Sequence, residues 1–140
     1  MLTRRMFGGF ASCALCAITG FVATDASAQP APAATPGVKR RILSQMDGPA
    51  PGYQTIIVEA EIEAGTPVAR HTHPGIESGY VVEGEIELPI EGQPTKVLKA
   101  GDGFQVPANT PHAGGRKSDK VVKLTSTYVV EKGKPLASPA

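Results

Sequence analysis

From Val38 to the C-terminus the chain carries no helical repeat of apolar residues. It carries short β-rich runs, cut at close intervals by glycine and proline, and this pattern constrains the fold more than any other feature. Tyr53 to Glu63 alternates toward its end, with Val58, Ala60 and Ile62 set between Ile57, Glu59, Glu61 and Glu63. Glu85 to Ile90 begins Glu85, Ile86, Glu87, Leu88, which suits a sheet with one wet face. Arg41 to Gln45, Gly79 to Val82, Lys96 to Lys99, Phe104 to Val106 and Val121 to Val130 complete the predicted strands. Ala64-Gly65-Thr66-Pro67, Glu83-Gly84, Glu91-Gly92-Gln93-Pro94 and Ala100-Gly101-Asp102-Gly103 break the chain between them. Many short strands at such spacing predict an all-β domain, either a sandwich or a closed barrel.

The β-rich part does not begin at Met1. Arg4 and Arg5 precede an uncharged run from Met6 to Thr24, and Ala26-Ser27-Ala28 offers a small-residue cleavage site. A basic end, an apolar stretch and an Ala-x-Ala site predict a signal peptide over residues 1–28. Thr3-Arg4-Arg5 with Phe7 resembles the twin-arginine export signal, and the mildly hydrophobic run, with Gly8, Gly9 and Gly20 inside it, fits that type. The expected location is periplasmic, with no stable membrane insertion after cleavage. An uncleaved anchor is the alternative, because the run is just long enough to span. A lipoprotein is disfavoured by Leu15 directly before Cys16. Gln29 to Gly37 is rich in proline and alanine and reads as a disordered linker. The folded domain is expected over residues 38–136, enough for one compact core.

What the leader takes with it matters for function. Both cysteines, Cys13 and Cys16, lie there, so the domain has no disulfide, no thiolate ligand and no thiol nucleophile. Without Arg4, Arg5 and Asp25, the 14 basic and 13 acidic residues fall to 12 of each. A neutral domain without a basic stripe gives no reason to expect nucleic-acid binding. The absence of tryptophan and an aromatic content of 5% argue against a base-stacking surface.

All three histidines fall into one pattern. His71 and His73 are two apart, so in a strand their imidazoles share a face and can chelate one ion. Glu77 follows in the next strand and can add a carboxylate oxygen. His112, after the Pro107 to Pro111 loop, can complete the shell from the opposite side of a barrel. Arg70 and Thr72 alternate with these residues and are expected to face away.

Gly65 opens GTPVARHTHPGIESGYVVEG, and Gly101 opens GDGFQVPANTPHAGGR. The two segments resemble the two cupin motifs. The first agrees at every signature position: Gly65, His71, His73, Glu77 and Gly84. The second agrees at Gly101, Pro107 and His112, and departs at Asn109, where glycine is usual, and at Arg116, where asparagine is usual. Asparagine is the non-glycine residue most at ease with positive φ, so the first departure is mild. The resemblance covers roughly Arg41 to Pro135 and is to small single-domain bacterial cupins. It implies a jelly-roll β-barrel, a metal held by His71, His73, Glu77 and His112, and a homodimer paired through sheet edges.

Three imidazoles and one carboxylate suit one divalent transition metal, with Fe or Mn favoured by loading before export and Ni, Cu or Zn also accommodated. With the ligands assigned, no histidine or cysteine remains for acid–base or nucleophilic work, so chemistry would centre on the metal itself. Tyr53, Tyr80, Tyr128 and Gln105 are the candidate polar groups of the pocket. The expected function is a metal-dependent, dioxygenase-like enzyme, or an isomerase or lyase, on a small organic substrate. The alternatives are a non-enzymatic binding protein for a metal or small molecule, and a barrel with vestigial ligands. Intact ligands argue against the last.

Overall fold

The computed structural model describes residues 34–115 and 119–140. The signal-peptide reading, most of the linker reading and Arg116 lie outside these residues. Within them the chain forms ten strands and no helix: β1 (Val38–Asp47), β2 (Tyr53–Ile62), β3 (Val68–Thr72), β4 (Gly75–Glu83), β5 (Glu85–Leu88), β6 (Lys96–Lys99), β7 (Gly103–Val106), β8 (His112–Gly114), β9 (Val122–Glu131) and β10 (Ser138–Pro139). All paired strands are antiparallel. They form a five-stranded sheet in the order β1-β2-β9-β4-β7, a three-stranded sheet β10-β3-β8 and the hairpin β5-β6. The all-β jelly-roll expectation therefore holds.

The long strands follow from strict alternation. Along β9 every second residue, from Val122 through Leu124, Ser126 and Tyr128 to Val130, is buried, and along β2 Ile56, Val58, Ala60 and Ile62 are buried. These faces pack on Ile86 and Leu88 of β5, Ile90 and Leu98, so the core lies between the large sheet and the smaller elements. A second cluster, Ile56, Val58, Tyr128 and Val130, closes on Leu136 from the C-terminal segment.

Several boundaries differ from the sequence reading. β1 starts three residues before Arg41, because Lys39 and Arg40 still pair with Glu61 and Ala60. β4 starts at Gly75 rather than Gly79, because β9 supplies partners along its full length. The strands β8 and β10 were not foreseen, and β3 was expected only as the strand that carries His71 and His73; all three are short, irregular and held by one another. The last part of the expected linker is structured: the Val38 amide donates to the Thr35 carbonyl at 3.0 Å and the Glu63 amide to Gly37 at 2.8 Å. At the other end the fold runs beyond residue 136, since Ser138 and Pro139 pair with Thr72 and His71.

Candidate metal centre

Strand register explains how distant residues meet. In β3 and β8, His71 and His112 are directly opposite one another, so their side chains leave the ladder on the same face. His73 lies two residues beyond His71, just past the end of β3, and again faces inward. Ring centroids are 4.8 Å apart for His71 and His73, 4.3 Å for His71 and His112, and 5.0 Å for His73 and His112. One ligand nitrogen from each of the three histidines lies within 4.8 Å of the other two. Glu77 comes from the large sheet, where its cross-strand partner on β9 is Tyr128. The centre thus bridges the two layers, three imidazoles from one and a carboxylate from the other.

Backbone carbonyls fix the imidazoles. The Nδ1 atoms of His71, His73 and His112 lie 2.7, 2.5 and 3.0 Å from the carbonyl oxygens of Ala69, Leu136 and Thr110. A carbonyl only accepts, so each Nδ1 carries the proton and each Nε2 of a neutral ring presents a lone pair. Asn109 contributes indirectly. It adopts φ 55° and donates its amide to the His73 carbonyl at 2.9 Å, so the departure from glycine keeps the backbone turn that clamps the ligand loop. Gly75 has a comparable part, because a Cβ there would run into the backbone of Val129 and Val130.

The carboxylate is held as firmly. Glu77 Oε1 accepts from Ser126 Oγ at 2.7 Å and from the Tyr128 hydroxyl at 3.0 Å. Burial would push this carboxyl up, but proton-bearing His112 and His73 nitrogens against it, with the Ser126 hydrogen bond, hold it well below the usual carboxylate range, and a cation in place of those protons acts in the same direction. Burial first, and then the Glu77 charge, push the Tyr128 phenol well above its ordinary value, so it stays protonated and donates. Burial is also the main reason that the His71 imidazole is lowered to about 4.

The second carboxylate oxygen tests whether a cation fits. Glu77 Oε2 lies 3.2 Å from Nε2 of both His73 and His112. Neither Nε2 makes a hydrogen bond, although both are buried. Lone pairs aimed at a carboxylate repel one another and leave buried polar atoms unsatisfied, which is costly. A cation between them removes both penalties. Ligand bonds of about 2.1 Å place neighbouring donors about 3.0 Å apart at a right angle and about 3.4 Å apart at a tetrahedral angle. The two carboxylate–imidazole separations lie between these values, so Glu77, His73 and His112 fit a divalent metal, with a His71 nitrogen within 4.8 Å of those of the other two histidines.

Residues 58–130, which are 73 of the 140, match the family model described as a cupin domain. The chain belongs to the cupin family. No curated protein matches its sequence. Among solved structures, this cupin is similar to an uncharacterised conserved protein with a double-stranded β-helix domain from Klebsiella pneumoniae, with TM-score 0.60 and 17% identity over 73% of this chain and 84% of that one. It is also similar to KdgF from Halomonas sp., with TM-score 0.55 and 25% identity over 70% and 84% of the two chains. The DMSP lyase DddQ from Ruegeria pomeroyi superposes with TM-score 0.57 and 24% identity over 61% of this chain, which spans only 43% of the lyase.

Of the four polar groups expected in the pocket, only Tyr128 is there. Tyr53 and Tyr80 are exposed on the outside, and Gln105 donates to Ser78 Oγ at 3.2 Å away from the centre. Arg70 is exposed and pairs with Glu91 at 2.7 Å, while also bordering the cavity. Ser126 was missed. Its signal was present as a serine on the otherwise apolar buried stripe of β9, where a polar residue needs a partner.

Proposed function

We propose that this cupin is an exported enzyme that holds one divalent transition metal on His71, His73, Glu77 and His112 and uses it on a small organic substrate in a dioxygenase-like, isomerase or lyase reaction. The carrying observation is the pair of buried, unpartnered Nε2 atoms on His73 and His112, each 3.2 Å from the Glu77 carboxylate. The centre opens on a cavity of about 220 Å³ lined mainly by apolar side chains such as Val58, Leu88, Phe104 and Leu124. That is below the roughly 300–1,000 Å³ of sites for drug-sized ligands, and suits a small substrate.

When bound there, the metal supplies O2 activation or Lewis-acid polarisation of an enol, keto or carboxylate group. The chain supplies the rest. The three backbone carbonyls hold the Nδ1–H tautomer and aim the imidazoles, Ser126 and Tyr128 fix the carboxylate, and apolar side chains line the space beside the centre. Iron or manganese is favoured, since export in the folded state allows loading in the cytoplasm; nickel, copper and zinc suit the same donors.

Anaerobic purification, metal analysis and O2 uptake with catechols, diketones and flavonoids test the reading. Turnover that disappears in His73→Ala supports the enzyme; tight metal without turnover on any of these or with lyase and isomerase substrates supports a binding protein instead. The periplasmic assignment has its own test. Replacing Arg4 and Arg5 by lysines should retain the chain in the cytoplasm, and normal export would point to the general secretory route.

A further inference from the structure

Three consecutive cations open β1: Lys39, Arg40 and Arg41. Alternation sends them to opposite faces. Lys39 and Arg41 are opposite Glu61 and Glu59 on β2 and pair with them at 3.5 and 3.1 Å on the exposed side. Arg40 is opposite Ala60, whose side chain is buried in the core. Residues directly opposite in an antiparallel ladder share a face, so Arg40 points into the barrel. A small residue at Ala60 leaves room for the long side chain.

Arg40 lines the same cavity as His73, Glu77 and Tyr128. Its hydrogen bond, from Nη1 to Thr35 Oγ1, is 3.5 Å long and therefore weak. No carboxylate among the described residues pairs with it. Glu77, the acidic residue lining the cavity, already serves Ser126, Tyr128 and the imidazoles. A half-buried guanidinium is always charged, and its planar fork matches a carboxylate. Leaving it without a counter-charge beside apolar walls is costly, and an incoming anion removes that cost.

We propose that the cavity takes a small organic carboxylate with an apolar body and that Arg40 binds its negative group. The inference rests on reading the cavity as the substrate site and narrows the substrate class. Benzoate and propanoate, each against its neutral amide, can be titrated calorimetrically into the full chain in metal-loaded and metal-stripped forms. The carboxylates should bind in preference to the amides. Arg40→Gln should weaken carboxylate binding about tenfold or more and leave the amides unaffected, with Arg40→Lys in between. Equal carboxylate binding by wild type and Arg40→Gln overturns the proposal, including the case in which the carboxylate is held by the metal alone. So does a wild type that binds neither carboxylate in either form. Arg40→Met, with its thermal midpoint, separates loss of the charge from loss of the fold. Metal content measured alongside keeps the two readings distinct: a chain that takes no metal but selects carboxylates through Arg40 sinks the metal assignment and retains this one.

Discussion

Glu77 is the sole anion among the four proposed ligands, and two hydroxyls are spent on one of its oxygens so that the other faces the imidazoles. Glu77→Gln keeps the shape but loses the charge, so metal retained after dialysis should fall well below one equivalent; unchanged content would contradict the assignment. Tyr128→Phe removes one hydroxyl that orients the carboxylate. Supporting partners of this kind are worth about 10–100-fold in metal affinity, which competition with a chromophoric chelator measures. His71 sets a pH dependence in the metal-free chain. Its folded imidazole is lowered to about 4 from 6.5, foremost by burial. Below 6.5 the unfolded chain takes up a proton that the folded chain refuses until about 4, so stability falls as the pH drops through that window. Above it this group contributes nothing. Urea midpoints of metal-free protein should fall from neutral to mildly acidic pH, and His71→Gln should remove part of that fall.

At the scale of elements, the C-terminal segment joins the two parts of the story. Leu136 is buried in the second core cluster while its carbonyl accepts from His73 Nδ1, and β10 then pairs with β3. Deleting residues 135–140 should lower both the melting temperature and the metal affinity. Leu136→Ala keeps the carbonyl and opens a cavity, so it should cost about 2–5 kcal/mol in chemical denaturation with less effect on metal. This segment was not legible beforehand, because Leu136-Ala137-Ser138-Pro139 has neither alternation nor a turn signal. Its structure comes from partners more than 60 residues away, as the His73 contact shows. The strands with clean alternation, β2 and β9, were legible almost to their ends, because the buried face is written in every second residue. That His71 and His73 share a face was legible from parity along a strand, whereas the meeting of His112 with them, and of Glu77 with His73 and His112, was legible only through the resemblance to the two cupin motifs. Tyr53, Tyr80 and Gln105 failed as pocket residues because parity cannot be assigned to a polar residue without knowing which face of its strand is covered.

For the whole molecule, the large sheet leaves β1, among the described residues, as an edge of ten residues. An unpaired edge of that length is a template for another strand, and charges or proline are the usual protection. The N-terminal half of β1 has them, in Lys39, Arg40 and Arg41. The other half does not: Ile42 and Leu43 are each 43% exposed and Met46 is 67% exposed. With 12 basic and 12 acidic residues from Gln29 onward, net repulsion does not oppose self-association of the barrel. These features support the proposed homodimer, with this end of β1 against its counterpart in a second copy. The paired substitution Leu43→Glu and Met46→Glu would then place four like charges at the interface, two from each copy. The mass by light scattering should halve, while the metal content, set by residues on β3, β4 and β8, stays near that of the wild type. A wild-type chain that is already monomeric at high concentration, or a double variant that remains dimeric, would remove β1 from the interface.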